Sequence, residues 1–210
     1  MWGMIPDIRS LAFRCLLVCS LLFVGCRKAV TETAKAPAPA AAKSPAGNHA
    51  SLETDKGTIE IEFYSAESPK AVENFRLLSE RGYYNGLTFH RLVKGFMIQG
   101  GDPSGDGRGG DSAWGGPFPD DIQPTSALYQ QGYKRGIVAM ANSGPNTNRS
   151  QFFIMHQDYR LPPRYVIFGH VIKGIEVVDA LMDTPKSMGS DGDMSRPVTP
   201  VVIRKITIKP

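Results

Sequence analysis

FHRLVKGFMIQGGD, residues 89–102, combines an apolar pattern with two polar residues that such a pattern does not explain. Its large apolar residues indicate a buried strand interrupted by charge: Phe89, Leu92, Val93, Phe96, Met97 and Ile98. A protein core excludes groups such as Arg91 and Gln99 unless they have partners. These two side chains therefore face either water or a bound substrate.

The sequence around this stretch predicts a mainly β domain over residues 51–210. Ile59, Ile61 and Phe63 alternate with Glu60 and Glu62, which is typical of a strand with one solvated face. The turn residues Asp55-Lys56-Gly57 precede this strand and predict an opening hairpin. Near the end of the chain, VVIRKITIKP (201–210) alternates in the same way.

Two segments predict amphipathic helices. In SPKAVENFRLLSERG (68–82), Ser68 is placed as the N-cap, Pro69 as the first helical residue and Gly82 as the stop. In GIEVVDALMDTP (174–185), Pro185 ends the helix. Many short strands with two helices favour an antiparallel barrel or sandwich over βαβ units.

The first 25 residues predict a signal peptide. Arg9 and Arg14 precede an apolar run of eleven residues, 15–25, which is far shorter than the ~20 needed to span a bilayer. Phe23-Val24-Gly25-Cys26 resembles the lipobox of bacterial lipoproteins, although leucine is usual where Phe23 stands. This resemblance implies lipidation of Cys26; the alternative is an ordinary secretory signal cleaved nearby.

Residues 26–50 predict an extended tether. Their Ala/Pro-rich composition with scattered lysines cannot bury enough apolar surface to fold. Stable attachment to a membrane needs more than one acyl chain, as mature lipoproteins of this type carry. We therefore expect a lipid-anchored protein of the cell envelope, with its domain in the periplasm or the extracellular space.

Cysteine and charge placement limit the functions open to the domain. All three cysteines lie at or before Cys26, so the domain has no disulfide, cysteine nucleophile or thiolate metal site. Six of the 24 Lys/Arg residues and two of the 20 Asp/Glu residues lie before His49, which leaves residues 49–210 with a net charge of zero. This balance argues against a nucleic-acid partner.

Other catalytic patterns are absent from the sequence. GDGRGG (105–110) matches the dinucleotide fingerprint, but Pro117 and Pro119 follow where that motif needs a helix, so we expect a glycine-rich loop at the rim of a sheet. The four histidines show no zinc-site spacing, and no G-x-S-x-G elbow exposes a serine. We expect neither a metal nor a cofactor.

Several strings together carry a family resemblance. F-H-R, G-F-M-I-Q-G-G-D, M-A-N, G-P-N-T-N, S-Q-F-F-I and V-I-F-G occur in this order between residues 51 and 210. The domain thereby resembles the cyclophilins, which are peptidyl-prolyl cis/trans isomerases. The resemblance implies an eight-stranded antiparallel β-barrel capped by two α-helices, and cofactor-free isomerisation of Xaa-Pro bonds in unfolded or flexible polypeptides. We expect the domain to act as a monomer.

The chemistry of the reaction explains why an arginine is needed. Rotation of an Xaa-Pro bond breaks amide resonance, and the proline nitrogen becomes a hydrogen-bond acceptor only in the twisted transition state. A donor aimed at that nitrogen stabilises the transition state more than the substrate. Arg91 matches the catalytic arginine of the family, and Gln99 matches the residue that orients it.

The resemblance also assigns substrate contacts. The socket for the proline ring is assigned to Phe96, Met97, Phe153 and Leu161. Ala141 and Asn142 match the stretch that pairs with the substrate backbone, and Gln151 and Tyr165 match further contact positions. Each socket residue could also be plain core, and Phe153 taken alone is better explained in that way.

Two departures from the family pattern affect ligand preference. Arg160 occupies a position where many eukaryotic cyclophilins carry a tryptophan that lines the cyclosporin site, which predicts weak inhibition by this drug. Ser104 and Asp106 replace threonines that are common in the glycine-rich loop, which leaves the preference for the residue before proline open.

Two other functions stay open for the same fold. The domain could hold Xaa-Pro segments as a chaperone or adaptor without turnover, or it could be a structural lipoprotein of the envelope. The pair of Arg91 and Gln99 favours the enzyme, because a pure binder gains nothing from a transition-state donor.

Overall fold

A computed structural model describes residues 47–210. The predicted signal peptide, the predicted lipidation site Cys26 and nearly all of the predicted tether lie outside these residues. In chain order the elements are β1 (His49–Thr54), β2 (Gly57–Phe63), α1 (Pro69–Glu80), β3 (Thr88–Val93), β4 (Met97–Asp102), α2 (Ala127–Gln131), β5 (Ile137–Met140), β6 (Phe152–Met155), β7 (Ile167–Lys173), α3 (Ile175–Met182), β8 (Lys186–Met188), β9 (Met194–Pro197) and β10 (Ile203–Lys209).

Eight of the strands form one antiparallel sheet in the order β10-β1-β2-β7-β5-β6-β4-β3. The sheet curls so that its two edge strands meet at one end. There, the N–H of Phe89 donates to the carbonyl of Val201 at 2.9 Å, and the N–H of Ile203 donates to the carbonyl of Leu87 at 2.8 Å. The predicted mainly β, eight-stranded architecture is confirmed, and β1 begins at His49, within the last residues assigned to the tether.

Both predicted helices are present, and Ser68 precedes α1 as expected. The Ser68 side chain makes no capping hydrogen bond; its hydroxyl donates instead to the carbonyl of Ile167 at 2.6 Å and ties α1 to β7. The third helix, α2, was not predicted because its five residues are too short to show a helical period. Within residues 47–210, no helix is long and apolar enough to cross a membrane.

The hairpin formed by β8 and β9 is a second feature that the sequence did not predict. Its strands have three and four residues, and the two-stranded sheet that they form is separate from the large one. Short strands with little apolar alternation give almost no periodic signal. The hairpin packs beside β3, so its turn reaches the strand that carries Arg91.

The sheet buries apolar side chains on both faces. All four residues of β6 are buried, as expected of a strand covered on each side. Phe152 and Ile154 join the main core under α1 and α3, whereas Phe153 and Met155 join a second apolar cluster on the opposite face. This second cluster lies on the face of the sheet that carries the predicted site.

Candidate active site

The register of three neighbouring strands places Arg91 beside the second apolar cluster. Arg91 on β3 pairs with Gln99 on β4, and Gln99 pairs with Phe153 on β6. Cross-strand partners share one face of a sheet, about 5 Å from strand to strand. The register shifts between Phe89 and Arg91, so His90 is an extra residue in β3. Such a bulge re-aims the side chain that follows it.

Arg91 is held by the turn of the β8–β9 hairpin. Its Nε donates to Oδ2 of Asp191 at 2.6 Å, and its guanidinium carbon lies 6.0 Å from the centre of the Phe96 ring. The Gln99 amide donates to Oε1 of Gln151 at 2.9 Å. The sequence predicted that Gln99 orients Arg91, and the two residues are cross-strand partners. The charged acceptor that the Arg91 guanidinium bonds is Asp191, which the sequence did not single out.

The ion pair with Arg91 contributes to a low pKa of the Asp191 carboxyl group. Burial alone would raise the pKa of its carboxyl group, but hydrogen bonds from Arg91 and Ser195 outweigh burial and lower the pKa to about 2. Asp191 is therefore a carboxylate throughout the neutral range, and its attraction for Arg91 does not depend on pH there.

The structure brings the residues assigned to the proline socket together in one apolar cluster. Met97 and Phe153 are buried in the second apolar cluster, and Phe96 and Leu161 pack against it while remaining partly exposed. Tyr165 joins the same cluster and meets Phe153 edge to face at 5.4 Å between ring centres. The cluster thus has a buried floor and an accessible rim, which suits a small apolar ring.

Two buried tyrosines that the sequence did not single out support the rim. The Tyr133 hydroxyl donates to the carbonyl of Tyr165 at 2.8 Å and accepts from the N–H of Tyr165 at 3.1 Å. The Tyr129 hydroxyl accepts from the N–H of Ile167 at 3.1 Å. Burial raises the pKa of Tyr129 to about 12 and that of Tyr133 further, so both hydroxyls stay protonated at neutral pH.

A cavity of about 280 Å³ adjoins the socket and collects further predicted residues. Gln99, Ala141, Asn142 and Gln151 all line it. The Asn142 side chain donates to the carbonyl of Arg164 at 2.8 Å. Within residues 47–210, the main-chain N–H and C=O of Asn142 make no hydrogen bond to another residue. Both groups can therefore pair with an extended peptide.

The glycine-rich loop 105–110 forms one wall of this cavity and follows β4, as predicted for a loop at the rim of the sheet. Gln151 donates to the carbonyl of Gly109 at 2.9 Å and so connects the loop to Gln99. The buried carboxylate of Asp102 accepts from the N–H groups of Ser104 at 2.9 Å, Asp106 at 3.1 Å and Gly107 at 2.7 Å.

Asp102 therefore shapes the loop, a role that the sequence did not predict. Burial raises its pKa, but the hydrogen bonds from Ser104 and Gly107 overcome burial and hold the pKa of Asp102 below its usual value. The only signal in the sequence was its place at the end of the Q-G-G-D string. A carboxylate that receives several N–H donors is a common organiser of a tight loop.

The arrangement is suited to one kind of chemistry. A permanently charged donor, Arg91, stands beside an apolar socket and next to free main-chain groups at Asn142. Such a site holds an extended peptide with one compact apolar side chain and offers N–H groups to that residue. It includes no serine or cysteine paired with a histidine, within the residues described.

Comparisons with known proteins show which family the chain resembles. The protein-family model "Cyclophilin type peptidyl-prolyl cis-trans isomerase/CLD" matches residues 49–208. Peptidyl-prolyl cis-trans isomerase-like 3 of Homo sapiens is 46% identical over 158 residues, which are 75% of this chain and 93% of the human protein. Peptidyl-prolyl cis-trans isomerase CYP18-1 of Arabidopsis thaliana matches with the same identity and coverage.

A solved structure shows the same fold. The crystal structure of a cyclophilin type peptidyl-prolyl cis-trans isomerase of Cryptosporidium parvum superposes with a TM-score of 0.70 at 38% identity, and it covers 78% of this chain and 98% of that one. The same protein in the presence of the dipeptide Ala-Pro gives a TM-score of 0.69.

Fold and site together define a β-sheet enzyme that acts on peptide segments containing proline. The chain belongs to the cyclophilin-type peptidyl-prolyl cis/trans isomerase family.

Proposed function

We propose that this protein accelerates rotation about Xaa-Pro bonds in extracytoplasmic proteins and so assists their folding, while Cys26 carries a lipid anchor. One observation supports the catalytic part most directly: Arg91 stands next to the apolar cluster that contains Phe153 and against which Phe96 packs. A proline ring in this socket brings its nitrogen within reach of the guanidinium.

Different groups of the site have different roles in the reaction. The cluster around Phe153 binds the ring, and the main chain at Asn142 binds the segment beside it, so the substrate is held on both sides of the rotating bond. Arg91 then donates to the proline nitrogen, which accepts a hydrogen bond only when the amide is twisted. The uncatalysed barrier is about 18–20 kcal/mol, so stabilisation by a few kcal/mol accelerates rotation by orders of magnitude.

The substrate class follows from the same geometry. A partly exposed apolar cluster beside an accessible cavity accepts an exposed proline in an extended segment rather than a proline buried in a folded domain. The related C. parvum enzyme was crystallised in the presence of Ala-Pro, which is the smallest segment of this kind. We therefore propose unfolded or flexible proline-containing chains as substrates.

The catalytic part is tested by measuring cis-to-trans rotation of a short Xaa-Pro peptide with the full-length chain and its Arg91→Ala and Arg91→Lys variants. We expect the parent to accelerate rotation, Arg91→Ala to lose at least 100-fold in kcat, and peptide affinity to stay nearly unchanged. Arg91→Lys keeps the charge but not the planar donor set, so it should recover only part of the rate.

If the parent binds the peptide but does not accelerate rotation, the domain is a proline-segment binder and the enzymatic proposal fails. If Arg91→Ala loses affinity as much as rate, Arg91 binds the ground state and the proposed transition-state role is wrong.

The membrane anchor rests on the lipobox-like Phe23-Val24-Gly25-Cys26 and the Ala/Pro-rich segment behind it. We expect the full-length chain, expressed in a bacterial host, to incorporate labelled fatty acid and to sediment with membranes. The Cys26→Ala variant should do neither. Labelled parent protein in the soluble fraction, or unlabelled parent protein that is secreted, would contradict the anchor and favour an ordinary secretory signal.

A further inference from the structure

The turn of the β8–β9 hairpin, residues 189–193, is built around one carboxylate. Oδ1 of Asp191 accepts from the Ser195 hydroxyl at 2.7 Å and from the N–H of Asp193 at 3.2 Å. Oδ2 accepts from Nε of Arg91 at 2.6 Å. One oxygen therefore shapes the turn, and the other holds the arginine of the site.

The hydrogen bond to Asp191 leaves the two terminal nitrogens of the Arg91 guanidinium available to a ligand. Only Nε is engaged: within residues 47–210, neither terminal nitrogen of Arg91 donates a hydrogen bond. The guanidinium borders a cavity of about 360 Å³ that is also lined by His90, Gln99 and Gly107. Because the guanidinium is planar, fixing Nε at one edge fixes the direction of the two terminal groups at the other edge.

The ion pair is partly shielded from water. The side chains of Arg91 and Asp191 are 29% and 21% exposed. Ser195 beneath the turn is buried, and a side chain at Gly189 would collide with both Ser195 and Asp191, so the turn backbone packs closely around the carboxylate. A carboxylate held in this way constrains its partner more than one on a mobile surface loop.

We propose that Asp191 is a positioning residue for catalysis: it holds the guanidinium of Arg91 by Nε and so directs the terminal N–H groups toward the proline nitrogen. This role rests on the proposed isomerase function. In this role Asp191 needs no contact with the peptide. It acts through Arg91 by removing rotamers in which the long side chain points into solvent, so the donor is already in place when the bond twists.

The test variant is Asp191→Asn in the full-length chain. The amide oxygen can still accept from Ser195, so the turn is preserved, whereas the amide NH₂ faces the Nε donor and the hydrogen bond to Arg91 is lost. Both kcat and peptide affinity are measured by NMR exchange on an Xaa-Pro peptide. We expect kcat to fall roughly tenfold with affinity changed by less than about twofold.

Two further variants separate positioning from general support. Asp193→Asn is the matched control, because it removes an exposed carboxylate from the same turn without touching Arg91; it should leave kcat unchanged. In an Arg91→Ala background, Asp191→Asn should cause no additional loss of kcat, since no guanidinium remains to be positioned.

The results that overturn the proposal are distinct from those that overturn the enzymatic function. An active parent whose Asp191→Asn variant keeps or gains kcat refutes positioning, and so does an equal loss of kcat and affinity or an equal loss in Asp193→Asn. A parent that binds peptide without accelerating rotation refutes the isomerase function, and this role of Asp191 falls with it.

Discussion

The Tyr133 hydroxyl offers a sharp test of how the rim of the socket is supported. Tyr133→Phe removes one oxygen that bonds both the carbonyl and the N–H of Tyr165, at 2.8 and 3.1 Å. A buried group left without a partner costs about 1–3 kcal/mol. In the variant, the Tyr165 carbonyl still accepts from the Tyr129 hydroxyl at 3.5 Å. The lost stability therefore comes mainly from the Tyr165 N–H, which has no partner left. We expect the free energy of unfolding to fall by about 2 kcal/mol.

The measurement is urea denaturation of parent and variant, with peptide affinity measured on the folded proteins. A loss of this size shifts the midpoint by about 1 M, and the domain stays folded because domains of this size have about 5–15 kcal/mol of stability. Since Tyr165 contacts Phe153, peptide affinity should weaken while kcat stays nearly constant. The control is Tyr159→Phe, whose ring is half exposed. A midpoint equal to that of the control would refute the reasoning.

Three further predictions concern other parts of the domain. Burial lowers the pKa of His156, whose Nδ1 accepts a hydrogen bond from the N–H of Gly95, so the unfolded chain binds more protons than the folded one below pH 6.5. The free energy of unfolding should therefore fall as pH is lowered from 7.5 to 5.5. A flat or opposite trend in the parent would contradict this prediction. Asp102→Asn places an amide against the N–H groups of the glycine-rich loop and should cost about 2 kcal/mol in urea denaturation. A change at Asp111, whose side chain is 51% exposed and pairs only with surface Arg149 among the described residues' ion pairs, should cost much less. Cyclosporin should inhibit weakly, because Arg160 stands in place of an indole; inhibition at nanomolar concentration in the peptide assay would show otherwise.

The strands and helices with clear periodicity were predictable, and the reasons are local. In β2 and β10, apolar and polar residues alternate because one face of each strand is buried and the other is solvated. In α1, the segment begins at a proline and its apolar residues recur at a helical spacing for the same reason. Elements without a period were missed. The α2 helix has one buried residue, Tyr129, and the β8–β9 hairpin is set by turn geometry and by its packing on β3.

The site shows the same division. The motif strings of the sequence named Arg91, Gln99 and the socket residues, and the register of β3, β4 and β6 brings Arg91, Gln99 and Phe153 into one row. The partners of these residues were not predictable. Asp191 lies 100 residues from Arg91, and Tyr133 lies 32 residues from Tyr165. Nothing in either local segment indicates such a distant partner.

The sequence by itself determined the class of this protein. The fold and the chemistry are restricted by three features: several short strings in a fixed order, an apolar run too short to span a membrane, and a domain without cysteine. Each of these features depends on residue type and spacing alone. Only the tertiary structure decided how Arg91 is held. The curl of the sheet brings the hairpin turn against β3, and a hydrogen bond of 2.6 Å depends on that contact rather than on any spacing along the chain.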